Sequence, residues 1–228
     1  GTYQDVTDTT VTAQFKAKAD SLPDFLKKAD GDIHFLAWTT TPWTLSGSAA
    51  FAVSADAEYS LVEREDQHIG IERIIVATDR VSNLAPDGDV LARFTGASLL
   101  DGYYEELWSA ELWEETDPYM FVDGVAVRPA SLEDLPSRKV VASDEVTTDE
   151  GTGVLHVAPA FGAEDYEIGR SNDLMFLQPV RPDGIVQGGP GDGLFAKEAD
   201  KAVTADLRER GLLFQSEQIR HTYPFCWR

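Results

Sequence analysis

The feature that most constrains this chain is a succession of short apolar segments with a two-residue period, set apart by turn residues and not by regular helices. At residues 10–17, Val11, Ala13, Phe15 and Ala17 alternate, so an extended backbone carries all four on one face. Further strand segments lie at 33–38, 50–54, 59–63, 69–77, 90–94, 139–142, 154–157, 175–180 and 212–215. Helix signals are fewer: 22–28, a turn or two at 78–83, 163–172, and 199–210 with Gly211 as its stop. In the last of these Ala199, Ala202, Val203 and Leu207, with Leu212 beyond the stop, form an apolar stripe that packs on a sheet. Strands spaced this way argue against a doubly wound parallel sheet. The expected fold class is a β-rich α+β fold, with a closed or strongly curved β-core and helices outside it.

At 228 residues the chain is long enough for one substantial core, and no repeat or low-complexity tract divides it. The turn-rich stretch at 181–193 (RPDGIVQGGPGDG) reads as a Gly/Pro loop within one domain, 1–228. No run of 18 apolar residues occurs, and the start lacks a basic segment followed by an apolar one, so a cytoplasmic location and no membrane partner are expected. The formal charge of -21, from 19 Lys and Arg against 40 Asp and Glu, repels a polyanion at long range and argues against autonomous RNA binding. An acidic domain can still act on RNA that a larger body delivers.

Cys226 is the only cysteine, so neither an internal disulfide nor a cysteine metal site can form within the chain. His34, His68, His156 and His221 show no zinc-ligand spacing, and GxGxxG, P-loop, HExxH, GxSxG and CxxC patterns are missing. The expected metal set is therefore none. Residues 102–119 (GYYEELWSAELWEETDPY) mix aromatics with glutamates and read as an excursion whose aromatics fold back on the body, with a partner surface as the alternative.

Three stretches carry residues that core packing does not explain. Trp38-Thr39-Thr40-Thr41-Pro42-Trp43-Thr44-Leu45 follows a strand segment and puts three hydroxyls and their amides side by side, with Pro42 fixing the exit and an indole on each flank. Such a cluster can hold an ester carbonyl or a water; a strand end with an ST-turn is the plain structural alternative. In Gly151-Thr152-Gly153-Val154-Leu155-His156-Val157, two glycines permit close backbone approach to a ligand, and His156 sits in an apolar run where its ring is costly unless paired. Asp165 follows in the first turn of the 163–172 helix, where the helix dipole favours a carboxylate. The third stretch, His221-Thr222-Tyr223-Pro224-Phe225-Cys226-Trp227-Arg228, reads as cut off within an element of a longer protein.

At these stretches the sequence resembles the class I isoleucyl-tRNA synthetases, specifically their inserted editing domain. WTTTPWTL, GTGVLHVAPAFGAEDYEIG and HTYPFCWR are similar, in order and spacing, to the family's threonine-rich, GTG-to-aspartate and pre-zinc motifs, and the match covers nearly the whole chain. The resemblance implies a six-stranded β-barrel core with peripheral helices. It implies hydrolytic editing of valyl-tRNA(Ile), and of valyl-adenylate, as part of an ATP-dependent isoleucine-tRNA ligase. The implied partners are the tRNA(Ile) 3′ end carrying valine and the remainder of the parent synthetase, with the domain itself monomeric. No cofactor is implied for this segment; ATP, Mg and Zn belong to the parent.

By the same resemblance Asp165 accepts hydrogen bonds from the substrate's α-ammonium, and Thr39, Thr40 and Thr41 orient the ester and the attacking water. Trp38, Trp43, Ser48, Gly151, Thr152, Gly153, His156, Phe161 and Tyr223 would line the substrate pocket, with His156, Trp43 and Tyr223 as walls that admit valine and exclude isoleucine. Two departures stand out. The threonine motif continues Leu45-Ser46-Gly47-Ser48, so a proline is missing and Ser48 occupies the place of an asparagine. The chain also stops before a second cysteine, leaving Cys226 without its zinc-knuckle partner. The alternative function is an aminoacyl-adenosine recognition module without turnover.

Overall fold

The computed structural model describes residues 2–66, 70–109 and 118–225. Alternation in β1 (Thr2–Lys16) buries Val11, Ala13 and Phe15, which face Thr39, Ala37 and Phe35 of the antiparallel neighbour β2 (Ile33–Thr39). The chain then forms β3 (Ala50–Val53), the antiparallel pair β4 (Glu58–Asp66) and β5 (Gly70–Ala77), the single turn α1 (Val81–Leu84), and β6 (Asp89–Thr95). After β7 (Tyr119–Val122), β8 (Val125–Val127) and β9 (Lys139–Ala142) come β10 (Leu155–Val157), α2 (Ala163–Ser171), β11 (Met175–Phe176), α3 (Ala196–Glu209) and β12 (Leu213–Phe225).

These strands make one six-stranded sheet, β12-β1-β2-β5-β4-β6, and two three-stranded sheets, β10-β3-β9 and β11-β7-β8. Within them β2–β5 and β3–β9 are parallel pairs. The β-rich α+β class follows directly from the alternating segments. The closed six-stranded barrel does not: the six-stranded sheet is open, with β12 and β6 at its edges. Closure would require those edges to pair, but β6 is largely exposed, and β12 spends its length on β1 from Gln215 opposite Thr12 out to Phe225 opposite Thr2. The β10-β3-β9 sheet instead packs against the six-stranded sheet through a shared aromatic cluster. Phe51 of β3 meets Phe15 edge-on at 4.9 Å and stacks on Tyr104 at 4.2 Å, all three rings being essentially inaccessible to solvent. Each such side chain contributes about 1.5–3 kcal/mol by burial, so the cluster is the main tie between the sheets.

Two local expectations change and a third holds. Residues 22–28 form one isolated turn, with Leu26 and Lys27 N–H groups both donating to the Pro23 carbonyl; the Ala-Asp-Gly-Asp that follows cannot propagate it. Leu22 and Leu26 are nevertheless buried. The β7–β8 hairpin was not expected, although Asp123-Gly124 at its tip, with φ of 50° and 74°, is a standard two-residue hairpin turn. In the 102–119 excursion Tyr104, Leu107 and Trp108 do fold back, and the Trp108 indole donates to Asp206 of α3 at 2.9 Å; residues 110–117 lie outside the described residues.

Candidate active site

The threonine-rich segment begins where β2 ends at Thr39 and passes into a 3-10 turn, Pro42–Gly47, whose first residue is suited to a helical start by its fixed φ. Its hydroxyls form a chain. The Thr41 N–H donates to Thr39 Oγ1 at 3.1 Å, Thr39 and Thr41 hydroxyls lie 3.3 Å apart, Thr41 and Thr44 hydroxyls 3.2 Å apart, and Thr44 Oγ1 donates to the Thr41 carbonyl at 2.8 Å. A hydroxyl has one proton, so the direction is fixed from the far end. Thr44 has given its proton to a carbonyl and can only accept from Thr41, which in turn can only accept from Thr39. All three protons are committed within the chain, and the lone pairs left on Thr39 and Thr41 are what the cluster presents outward. Thr40, half-buried, sits between them.

The second stretch packs behind this segment. The Trp43 ring meets Phe161 edge-on at 4.8 Å, and Phe161 in turn sits against Gly47, where a Cβ would lie 2.6 Å from its Cε2. Phe161 belongs to a tight turn in which its N–H donates to the Ala158 carbonyl, while the Ala158 N–H donates to Asp165 Oδ2 at 2.9 Å. Asp165 thus stands in the first turn of α2 but bonds backwards to the strand exit, not to its own helix. Burial pushes its carboxyl above the usual value, and the Ala158 N–H pulls it back. Oδ1 accepts no hydrogen bond among the described residues. His156, opposite Phe51 in the β10–β3 pairing, is buried with Nε2 unpartnered, and burial lowers its pKa to about 4, so it is a neutral ring.

The GTG loop is held rigidly. Thr152 Oγ1 donates to the Leu36 carbonyl at 2.7 Å, Ala77 N–H to the Thr152 carbonyl, and Arg80 to the Gly151 and Asp149 carbonyls at 3.0 and 2.8 Å. At Gly153 the close neighbour within the fold is Ala77: with φ of 75°, a Cβ there would lie 2.3 Å from the Ala77 Cβ. Trp38, 39% exposed, walls two surface clefts, one of about 440 Å³ with Arg80 and Gln215, the other of about 180 Å³ with Gly151, Thr152 and Gly153.

Ser48 and Tyr223 were the other residues expected at the pocket. Ser48 is 2% exposed, its hydroxyl 3.3 Å from that of Tyr104 and its carbonyl accepting from Arg138 at 3.0 Å, so it is engaged in the core. The Tyr223 side chain, like Cys226, is outside the described residues; the Tyr223 backbone pairs with Gln4, seven residues along β1 from Thr39's partner Val11, or roughly 23 Å at strand rise. Sequence reasoning passed over Thr44, Arg80 and Asp200, whose side chain accepts the Trp43 N–H at 3.1 Å. Only Thr44 had a local signal, as a fourth threonine in the motif. Among the described residues no group of three or more His, Cys, Asp or Glu is placed to hold a metal, and no helix is long and apolar enough to cross a membrane.

No protein-family model matches the chain. It is 36% identical over 242 residues to the isoleucine–tRNA ligase of Dehalococcoides mccartyi strain CBDB1, covering 99% of this chain and 22% of that enzyme. To the isoleucine–tRNA ligase of Picrophilus torridus it is 36% identical over 205 residues, covering 90% of this chain and 18% of the enzyme. The chain therefore spans about a fifth of the relatives it matches. Among solved structures, the P. falciparum cytosolic leucyl-tRNA synthetase editing domain superposes with a TM-score of 0.61 at 10% identity, covering 92% of this chain and 99% of that one. The P. knowlesi counterpart gives 0.61 at 11% identity, covering 96% and 97%. By sequence the chain belongs with the isoleucine–tRNA ligases, as a segment of those enzymes, and its fold is that of a synthetase editing domain.

Proposed function

We propose that this chain hydrolyses the ester joining a wrongly attached amino acid to the 3′ end of tRNA, with valine on the isoleucine acceptor as the substrate. The observation that carries the reading is the one-way hydroxyl chain Thr39–Thr41–Thr44, linked through Trp43 and Phe161 to the turn that holds Asp165. Lone pairs on Thr39 and Thr41 accept the protons of a water and turn its oxygen toward an ester carbonyl. Asp165 Oδ1 takes the α-ammonium in a charge-assisted hydrogen bond. Rate enhancement then rests on holding water and ester in line, with no covalent nucleophile. ATP, magnesium and zinc belong, on this reading, to the rest of the ligase.

His156, Trp43 and Phe161 provide the rigid wall. A synthetic site separates two side chains that differ by one methylene by only about 1–3 kcal/mol, a figure for which isoleucine–tRNA ligases are themselves the standard example. A second site that clashes with the larger side chain discriminates by size instead. A neutral, buried imidazole suits such a wall, because it presents no charge to an apolar side chain.

The test is deacylation of valyl-tRNA and isoleucyl-tRNA, both charged on the isoleucine acceptor, by the wild-type chain and by Asp165→Ala. Selective release of valine, reduced at least 100-fold in the variant, is the expected result. A wild-type rate in Asp165→Ala removes the ammonium anchor. Binding of a non-hydrolysable valyl-adenosine analogue with no turnover would favour a recognition module, the reading to which the acidic charge and the buried Ser48 lend weight.

A further inference from the structure

The 3-10 turn Pro42–Gly47 has a donor at its start that its own residues do not satisfy. Thr41, which precedes it, makes no side-chain cap, and Pro42 has no N–H, so the first free amide is that of Trp43. Its acceptor comes from 157 residues away: Asp200 Oδ1 on α3, at 3.1 Å. The other carboxylate oxygen lies 3.3 Å from Lys197 Nζ, which also reaches Asp8 of β1 at 2.8 Å.

Asp200 is only 7% exposed, on the same helix face as Ala199, Val203 and Leu207. A carboxylate in that stripe is costly unless it is fully bonded, and packing of α3 alone would be served as well by an apolar residue. What the carboxylate adds is directional: it fixes the Trp43 peptide plane. That plane lies between Thr41 and Thr44, which carry the hydroxyl chain, and it aims the Trp43 ring at Phe161.

We infer that Asp200 is a positioning residue for deacylation, acting through the Trp43 amide to hold the water-orienting threonines in register with Asp165. The inference rests on the editing reading above. It touches neither substrate nor water, so its loss affects the alignment of the attacking water more than the grip on the ammonium. A misplacement of about 1 Å costs up to about 100-fold in rate. The expected signature is therefore a fall in kcat with KM nearly unchanged.

Three variants of the full chain separate this from a purely structural tie. Asp200→Leu removes the acceptor, Asp200→Asn keeps an acceptor oxygen but drops the charge, and Lys197→Met removes only the ion pair. With valyl-tRNA as substrate, kcat is expected to fall at least 10-fold in Asp200→Leu, with KM within about 2-fold. Both other variants should stay within about 3-fold of wild type. Hydrogen exchange of the Trp43 amide, followed by NMR, gives a second readout that needs no activity: protection retained in Asp200→Asn and exchange at least 10-fold faster in Asp200→Leu. Wild-type kcat or an equally protected Trp43 amide in Asp200→Leu overturns the inference, as does an equal loss in all three variants that tracks their urea midpoints. Failure of the wild-type chain to deacylate any mischarged tRNA is a different result, which overturns the editing reading and the positioning role with it.

Discussion

His156 shows how much a single side chain can decide. Its imidazole is buried on β10 with Nε2 unpartnered, and burial alone lowers its pKa from 6.5 to about 4. As pH falls, the unfolded chain takes up this proton before the folded one does, so the contribution to stability is complete above about pH 6.5 and is lost progressively toward pH 4. Between pH 7 and pH 4 the wild-type chain should lose on the order of 3 kcal/mol more than His156→Met. Urea denaturation of both proteins at each pH measures the difference. The carboxyls of Glu72, Asp165 and Asp200, all raised by burial, respond in the opposite sense but are common to both proteins and cancel. Parallel pH profiles would mean that His156 is not desolvated. The cost of burying this ring was legible in the sequence, from a histidine inside an apolar run. The role of Asp200 was not, because its partner is 157 residues distant and nothing in α3's own pattern distinguishes a bonded aspartate from a solvated one.

At the scale of elements, two glycines with nearly the same backbone make a controlled comparison. Gly153 and Gly193 have φ of 75° and 74°, but a Cβ at Gly153 meets Ala77 at 2.3 Å whereas one at Gly193 meets nothing within 4 Å. Ala at either site carries the left-handed strain, about 1 kcal/mol. Gly153→Ala adds a collision between the GTG loop and β5, worth about 1–3 kcal/mol more. Urea midpoints should rank wild type above Gly193→Ala above Gly153→Ala; equal losses would show that β5 yields freely. Element types were readable wherever the period was sustained, as in β1, β2, β5 and α3. They were misread where one turn could not propagate, at 22–28, and where a short Asp-Gly hairpin lay between weakly alternating segments, at 119–127. Closure of the sheet was beyond local pattern altogether, since alternation says which face is buried but not which strand edges meet. Of the candidate site, the threonine segment and the turn carrying Asp165 were legible as unusual runs, while the tether from Asp200 to the threonine segment and that from Arg80 to the GTG loop were visible only once the chain was folded.

For the whole molecule, a charge of -21 sets a repulsion that the folded state must carry. Raising salt from about 0.1 M to about 1 M shortens the screening length from about 10 Å to about 3 Å and should relieve it. Relief of about 1 kcal/mol corresponds to a rise of about 2–4 °C in melting temperature for a chain of this size. Thermal scans in potassium chloride measure it, and a flat or falling Tm would show that the acidic surface is already compensated.

The long β1–β12 pairing has a mechanical consequence. Thr2 and Phe225 are opposite one another at one end of an antiparallel ladder, and the bonds of such a ladder lie across the strands. A load that separates these two residues therefore acts on one rung at a time, unzipping from Thr2–Phe225 toward Thr12–Gln215, instead of shearing all rungs together. Force applied there is dissipated in the ribbon, at low resistance per step, before it reaches the aromatic cluster or the threonine chain.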